Sequence, residues 1–266
     1  MALTPAVHEE SWKAFYDKYR LYFHSVISVT GGLILWEVMA RTVLTNKLIV
    51  VPFSSVMRTL WSLAGSGELW KHLYASGMEF FLGFFLAAGV GIFLGFFMGT
   101  STRIREYFEP LVSALYATPL VALIPFYIIL FGISIASKIA LAFTLAVFPV
   151  LINTYAGILS VDKNLLEVGI SFGASRRQIF LKIQIPAALP FVVSGLRLGV
   201  GRALTGVVVG EFFFATSGVG FMISIAAQNF DTARVFVGVV ICALSGILAV
   251  AFLERIGKRI TPWHPR

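Results

Sequence analysis

Four ionisable residues of this 266-residue chain, Glu79, Arg197, Arg202 and Glu211, fall within or at the ends of long apolar runs. Charge in a low-dielectric segment is costly, and it persists where it pairs with an opposite charge, lines a wet cavity or carries an ion. The chemistry open to this set is therefore electrostatic: an ion pair, a gate, or a resting point for an anion. Counting about 1.5 Å per helical residue from Pro190, Arg197 lies roughly 10 Å along, Arg202 near the middle and Glu211 toward the far end. At 3.6 residues per turn, Arg197, Leu204 and Glu211 share a face while Arg202 points away from it. Arg197 suits either a gate near one end or a side chain snorkelling to the headgroups. Arg202 must pair with a carboxylate or face a cavity where an anion passes. Glu79 sits at comparable depth, so a Glu79–Arg202 pair is geometrically allowed. Glu211 reads as an anchor for the outer end of its helix, since it would repel an anion.

Covalent and metal chemistry find little support. Cys242 is the single cysteine, and His8, His24, His72 and His264 are scattered without ligand spacing. The His-Glu pair that begins a metalloprotease motif occurs once, at His8-Glu9 in a polar tail. Gly257-Lys258 is followed by Arg and lacks the upstream glycine of a phosphate-binding loop. The expectation is a chain with no catalytic residue, no metal site and no cofactor of its own.

The elements that hold these charges are set by composition. Hydrophobic residues make up 58% of the chain and charged residues only 13%, where soluble domains carry about a quarter charged. The apolar residues form runs near the roughly 20 needed to cross a bilayer as helix. The spacing predicts an all-α, polytopic membrane protein with about six crossings, at 24–44, 76–99, 108–131, 137–159, 188–213 and 233–253. Pro119 and Pro125 fall inside the third, where membrane helices tolerate them if neighbours satisfy the freed carbonyls. The net charge of +8 gathers in short loops, so nucleic acid is not indicated. The polar, mixed-charge stretch Met1 to Arg20 does not resemble a cleavable signal peptide.

Placing both termini inside puts Lys13, Lys18, Arg20, Arg103, Arg105, Lys163, Arg176, Arg177, Lys182, Arg255, Lys258, Arg259 and Arg266 in the cytoplasm. Arg41, Lys47, Arg58, Lys71, Lys138 and Arg234 then lie outside, thirteen against six, which favours cytoplasmic termini. Small residues recur every four positions at Ala87, Gly91, Gly95 and Gly99, and as the pairs Gly195/Gly199 and Gly206/Gly210. Such stripes let helix backbones approach, within one subunit or between two. The run of Phe80, Phe81, Phe84, Phe85, Phe93, Phe96 and Phe97 covers several faces, so most must meet lipid or neighbouring helices.

The inner segment between crossings four and five, DKNLLEVGISFGASRRQIFLKIQIPAALP over 162–190, is built for rigidity. Asn164 with Glu167 suits a helix start, Gly173 a left-handed stop, and Ser175 with Gln178 a capping box. Pro186 and Pro190 are expected to break the chain before the fifth crossing. Leu166, Ile170, Phe172, Ile179 and Phe180 then divide between buried and exposed positions. Spacing alone leaves two uses open, a docking knob for a soluble partner and an amphipathic helix lying on lipid.

The same segment resembles the EAA loop of bacterial ATP-binding-cassette (ABC) importer permeases, whose pattern is Glu-Ala-Ala, three residues, Gly, nine residues, Ile-x-Leu-Pro. Here stand Glu167, Val168, Gly169, then Gly173, then Ile183, Ile185 and Pro186, with departures at both alanines and the leucine. The resemblance runs over about 70–255. It includes GF at 83–84, TPLVALIPFYIILFG, GAS at 173–175, PAALP, GLR at 195–197, GEFF at 210–213 and SGVG at 217–220, and is similar to the nitrate, sulfonate and taurine branch of type I importers.

What the resemblance implies is a cytoplasmic coupling helix made by Glu167, Gly169, Gly173, Ala174, Ser175, Arg176, Ile183 and Pro186. Two ATPase subunits carrying ATP and Mg would sit beneath it, with a second copy of the permease beside it and a periplasmic binding protein above. The implied division is a cytoplasmic tail 1–23, a first crossing and external loop 24–71, a type I permease domain 72–255 with its coupling loop 162–190, and a cytoplasmic tail 256–266. The implied location is the bacterial inner membrane and the implied cargo a small anion of nitrate, sulfonate or taurine type. The same family carries Arg near position 79, so Glu79 is a departure. The alternative, a self-contained secondary transporter or channel, calls for an inverted repeat and midplane ion ligands, and neither is visible in the sequence.

Overall fold

A computed structural model describes residues 6–43, 46 and 48–262, with side chains from Phe23 onward except Phe214. Every regular element among them is helical: α1 (Ala6–Thr42), α2 (Phe53–Gly65), α3 (Glu68–Thr100), α4 (Thr102–Ala117), α5 (Ile124–Phe131), α6 (Ile135–Leu159), α7 (Lys163–Ser171), α8 (Arg176–Ile179), α9 (Ile185–Phe214), α10 (Val219–Gln228) and α11 (Thr232–Ile260). Five segments are long and apolar enough to cross a bilayer: Phe23–Thr42, Glu68–Thr100, Ile135–Leu159, Arg176–Phe213 and Thr232–Ile260.

The third expected crossing, 108–131, is not one straight helix. It is α4 and the Leu120–Phe131 segment, bent by 87°. Proline disfavours helical geometry in the residue before it, and Thr118, ahead of Pro119, is extended (φ −70°, ψ 138°). A single 3-10 turn, Leu120–Leu123, then redirects the chain into α5. Pro125 stands in the first turn of α5, where its missing N–H leaves no carbonyl unpaired.

α6 is the axis of the molecule, held between α3 and α9. The glycine stripe of α3 makes this possible. A Cβ built at Gly83, Gly91, Gly95 or Gly99 would come within 2.5–3.0 Å of Ala142, Val147 and Val150, Thr154 or Ile158 of α6 respectively. Gly195 and Gly206 of α9 press against the opposite side of α6, at Asn153 and Ala142. Lipid supplies no hydrophobic drive between helices, so close backbone contact and dispersion must hold them. The small-residue stripes are thus packing surfaces within one subunit. Leu141, Ala142, Ala146 and Val150 are fully buried along α6, whereas the apolar stretch of α1 is almost wholly exposed. α1 touches the rest through α2 and through Trp36, whose ring meets Phe53 and Phe236 and whose indole N–H donates to the Val51 carbonyl at 3.1 Å.

Candidate functional site

Two groups of polar residues lie at opposite ends of this helix pack. At the end of α6 that precedes α7, the chain makes a stiff elbow. Asp162 caps α7, its carboxylate accepting from the Asn164 N–H at 2.8 Å. The cap thus lies two residues ahead of the expected Asn164, because the free carboxylate there reaches the first orphan amides. α7 stops in a Schellman turn. Gly173, at φ +77°, gives its N–H to the Ile170 carbonyl at 2.8 Å, and the Ala174 N–H reaches the Gly169 carbonyl at 3.0 Å. Nothing surrounds Gly173 within 4 Å of a built Cβ, so backbone conformation alone demands glycine there. Ser175 and Gln178 then form the expected capping box, with contacts of 3.3 and 2.8 Å.

Gly169 answers to a different constraint. Its Cβ would stand 2.9 Å from Ile183 Cδ1, so the absence of a side chain lets α7 rest on the segment after α8. Pro186 does not break the chain as expected. A π-helical turn, Phe180–Gln184, carries α8 into α9 without a break, and Pro186 follows it in the first turn of α9. Pro190 sits inside α9. None of the α7 side chains is buried, and Phe172 and Ile170 are 88% and 62% exposed. Glu167 is exposed beside them. The elbow therefore presents an acidic and apolar knob on a backbone with little freedom.

The opposite end is dry and charged. Glu79 of α3 and Lys138 of α6 form a buried ion pair, so the Glu79–Arg202 pairing is overturned. Lys138 reaches Glu79 because α6 begins at Ile135, which carries Lys138 one turn into the helix and not only to the outer edge of the expected crossing 137–159. Glu211 of α9 is 1% exposed and holds the start of α10. Its Oε2 accepts the Gly220 N–H at 2.6 Å, and its Oε1 accepts the Ser76 hydroxyl at 2.6 Å. Ser76 Oγ in turn accepts the Val219 N–H at 2.7 Å, and His72 Nδ1 accepts the Gly218 N–H at 3.0 Å. Three consecutive amides at the N-terminus of α10, otherwise without partners, are thus taken by side chains of α3 and α9. Glu211 is an anchor, as its sequence context suggests, but for α10 as well as its own helix.

Of the remaining candidates, Arg197 pairs with Glu254 of α11, both half-exposed. Arg202 is exposed on α9 and makes no ion pair with a described residue. Glu79 and Glu211 thus lie side by side at one end, while Arg197 and Arg202 stand apart from them. A cavity of about 710 Å³ opens between α3, α9 and α11, lined by Phe80, Phe81, Phe84, Phe85 and Phe252 among others, with no charged residue on its wall.

Residues 87–262 match the model of the family described as binding-protein-dependent transport system inner membrane component. The chain belongs to this family. It is 36% identical over 230 residues to a putative aliphatic sulfonates transport permease protein of Bacillus subtilis, covering 86% of this chain and 83% of the relative. Against the taurine transport system permease protein of Escherichia coli it is 33% identical, covering 87% and 86%. A formylaminopyrimidine transport permease protein of Halalkalibacterium halodurans is 33% identical, with 88% and 93% covered. In fold, the chain superposes on a subunit of the MetNI methionine ABC transporter in an inward-facing form with a TM-score of 0.64, 18% identity, and 73% and 96% coverage. It is a multi-pass ABC importer permease, a transport subunit rather than an enzyme.

Within this permease, sequence reasoning missed Lys138, His72, Ser76, Gly218 and Gly220. A signal for Lys138 was present: it falls inside the expected crossing 137–159, where a charge calls for a partner. His72 and Ser76 share one face of α3 four residues apart, a spacing that gains meaning only once α10 is known to lie there.

Proposed function

We propose that this permease forms half of the translocation path of a binding-protein-dependent importer, that it works as a homodimer, and that it carries a small anion of sulfonate, taurine or nitrate type. The observation that carries the reading is the stiff, exposed elbow of α7 and α8 in a chain of this family. A coupling element must transmit force without bending, and the Schellman turn and capping box fix its backbone while leaving its side chains free for a partner. Glu167, Gly169, Gly173, Ala174, Ser175, Arg176, Ile183 and Pro186 constitute this element. ATP and Mg belong to two separate ATPase subunits beneath it, and the solute arrives from a periplasmic binding protein at the α10 end.

In this arrangement 72–255 is the permease domain, 1–23 and 256–266 are cytoplasmic tails, and 24–71 carries the first crossing and an external loop in the bacterial inner membrane. Closure of the ATPase dimer draws the two elbows together and alternates access at the far end. Arg202, exposed and without an ion pair to a described residue, lines the path, while the Arg197–Glu254 pair ties α9 to α11 near the cytoplasmic gate. The relatives named for sulfonate and taurine favour an anion, which Arg202 would attract and the uncharged aromatic cavity would not hold.

The test is co-purification from native membranes in mild detergent, with uptake measured in vesicles. Recovery of an ATPase by the wild type, and its loss in Gly173→Trp, supports the reading. Unchanged ATPase recovery and uptake in both Gly173→Trp and Glu167→Lys would sink it.

A further inference from the structure

Arg176 does not point where the other exposed residues of the elbow point. It lines a cavity of about 720 Å³ between the last turns of α3 and the α8–α9 junction, with Phe93, Phe96, Phe97, Thr100, Ile179, Phe180, Gln184 and Ile185. The cavity is amphipathic along its length. Arg176, Thr100 and Gln184 supply polar groups, and the phenyl rings and isoleucines supply the rest. Phe96 meets Phe180 edge-on, with ring centroids 5.9 Å apart, which closes the floor between the two elements. Phe93 and Phe97 form a wall, 4.9 Å apart and 60% and 50% exposed.

From Thr100 to Phe93 along α3 is about 10 Å, most of one bilayer leaflet, whose apolar depth is about 15 Å. With α3 crossing as proposed and Thr100 at its cytoplasmic edge, the cationic group would stand at the headgroup plane and the aromatic wall at acyl-chain depth. The Arg176 side chain makes no hydrogen bond or ion pair to any described residue. It also stands at the start of a helix, where the dipole disfavours positive charge. An anion at this position offsets both costs, and a guanidinium matches phosphate in a bidentate geometry.

We propose that this cavity binds one anionic phospholipid of the cytoplasmic leaflet, with its phosphate on Arg176 and an acyl chain against Phe93 and Phe97. Basic pockets between membrane helices on the cytoplasmic side hold headgroups in this way. The lipid would tie the elbow to α3, so that Arg176 serves the coupling element by holding it to the membrane. The inference relies on the orientation proposed above only for the choice of leaflet, and it can be tested without any ATPase present.

The full chain is purified from a host whose membrane contains phosphatidylethanolamine and phosphatidylglycerol, and its retained lipid is measured by native mass spectrometry. The wild type should keep one phosphatidylglycerol, enriched over its share of the membrane. Arg176→Gln should lower this retention about tenfold or more, as the loss of a charge-assisted contact requires. Arg177→Gln, one residue on and off the cavity wall, should retain the lipid and thereby report an intact fold. A photoreactive residue placed at Ile179 should label phospholipid in whole membranes. Equal retention in Arg176→Gln, absence of an anionic lipid from the wild type, displacement by millimolar inorganic phosphate, or labelling of a protein at position 179 would each overturn the proposal.

Discussion

α7 and α10 are both short helices, of 9 and 10 residues, and the molecule holds them by opposite means. α10 is held from outside: side chains of α3 and α9 take its first three amides, and Glu79 and Lys138 are buried next to them. α7 is held from within, by its own cap and its own left-handed stop, with no side chain buried. A helix held by buried charge gives way when any partner is removed, and the loss appears as unfolding. One held by backbone geometry keeps its shape while its surface changes, so substitutions there reach function before stability. The first device suits a fixed end and the second suits an end that must meet another protein.

The contrast is broken most severely at Lys138. Lys138→Met strands the Glu79 carboxylate in a dry site and should lower stability by about 3–5 kcal/mol, read as a fall in the unfolding midpoint in detergent. The double variant Glu79→Gln, Lys138→Met should recover most of that loss, whereas no recovery would mean the pair is not the reason for the cost. Gly218→Ala comes next. Its φ of +124° is hostile to a side chain and its Cβ would collide with the Glu211 carboxyl, so about 1–3 kcal/mol should be lost and α10 amides should lose exchange protection. At the other end, Gly173→Ala should cost about 1–2 kcal/mol for forcing alanine into the left-handed region, confined to α7 and α8 and accompanied by reduced uptake. Ser175→Ala removes one cap, about 1 kcal/mol, visible only as faster exchange in α8. Glu167→Lys should leave the unfolding midpoint unchanged while abolishing ATPase recovery; a lowered midpoint would erase the distinction between the two helices.

The elbow was almost fully legible because its determinants are local. Gly173 and the Ser175–Gln178 box act over three or four residues, and the structure places each where the spacing puts it. The clamp was not, because its partners come from four elements: Ser76 and Glu211 lie 135 residues apart, and Lys138, inside the expected crossing 137–159, gives no sign of which helix it faces until α3 is packed on α6. Depth counting ranked Glu79 and Arg202 as neighbours, yet two residues at equal depth meet only if their helix faces turn toward each other. Pro119 shows a third kind of miss. Tolerance of proline in a membrane helix depends on which neighbours can accept the broken turn, and the 87° bend shows that a straight helix was not the outcome here.

The packing of α6 bears on where a solute can go. Ser137, Leu141, Ala142, Ala146, Val150 and Thr154 follow one another along its length with no exposed surface, and α3 and α9 lie against it backbone to backbone. The middle of the subunit is a plug. Among the described residues this core leaves no hydrophilic bore, so a lone copy in the bilayer is expected to leave the proton and sodium gradients intact. In the proposed homodimer, permeation would then be a property of the seam between the two copies, and a leak would arise only where assembly is complete enough to control it.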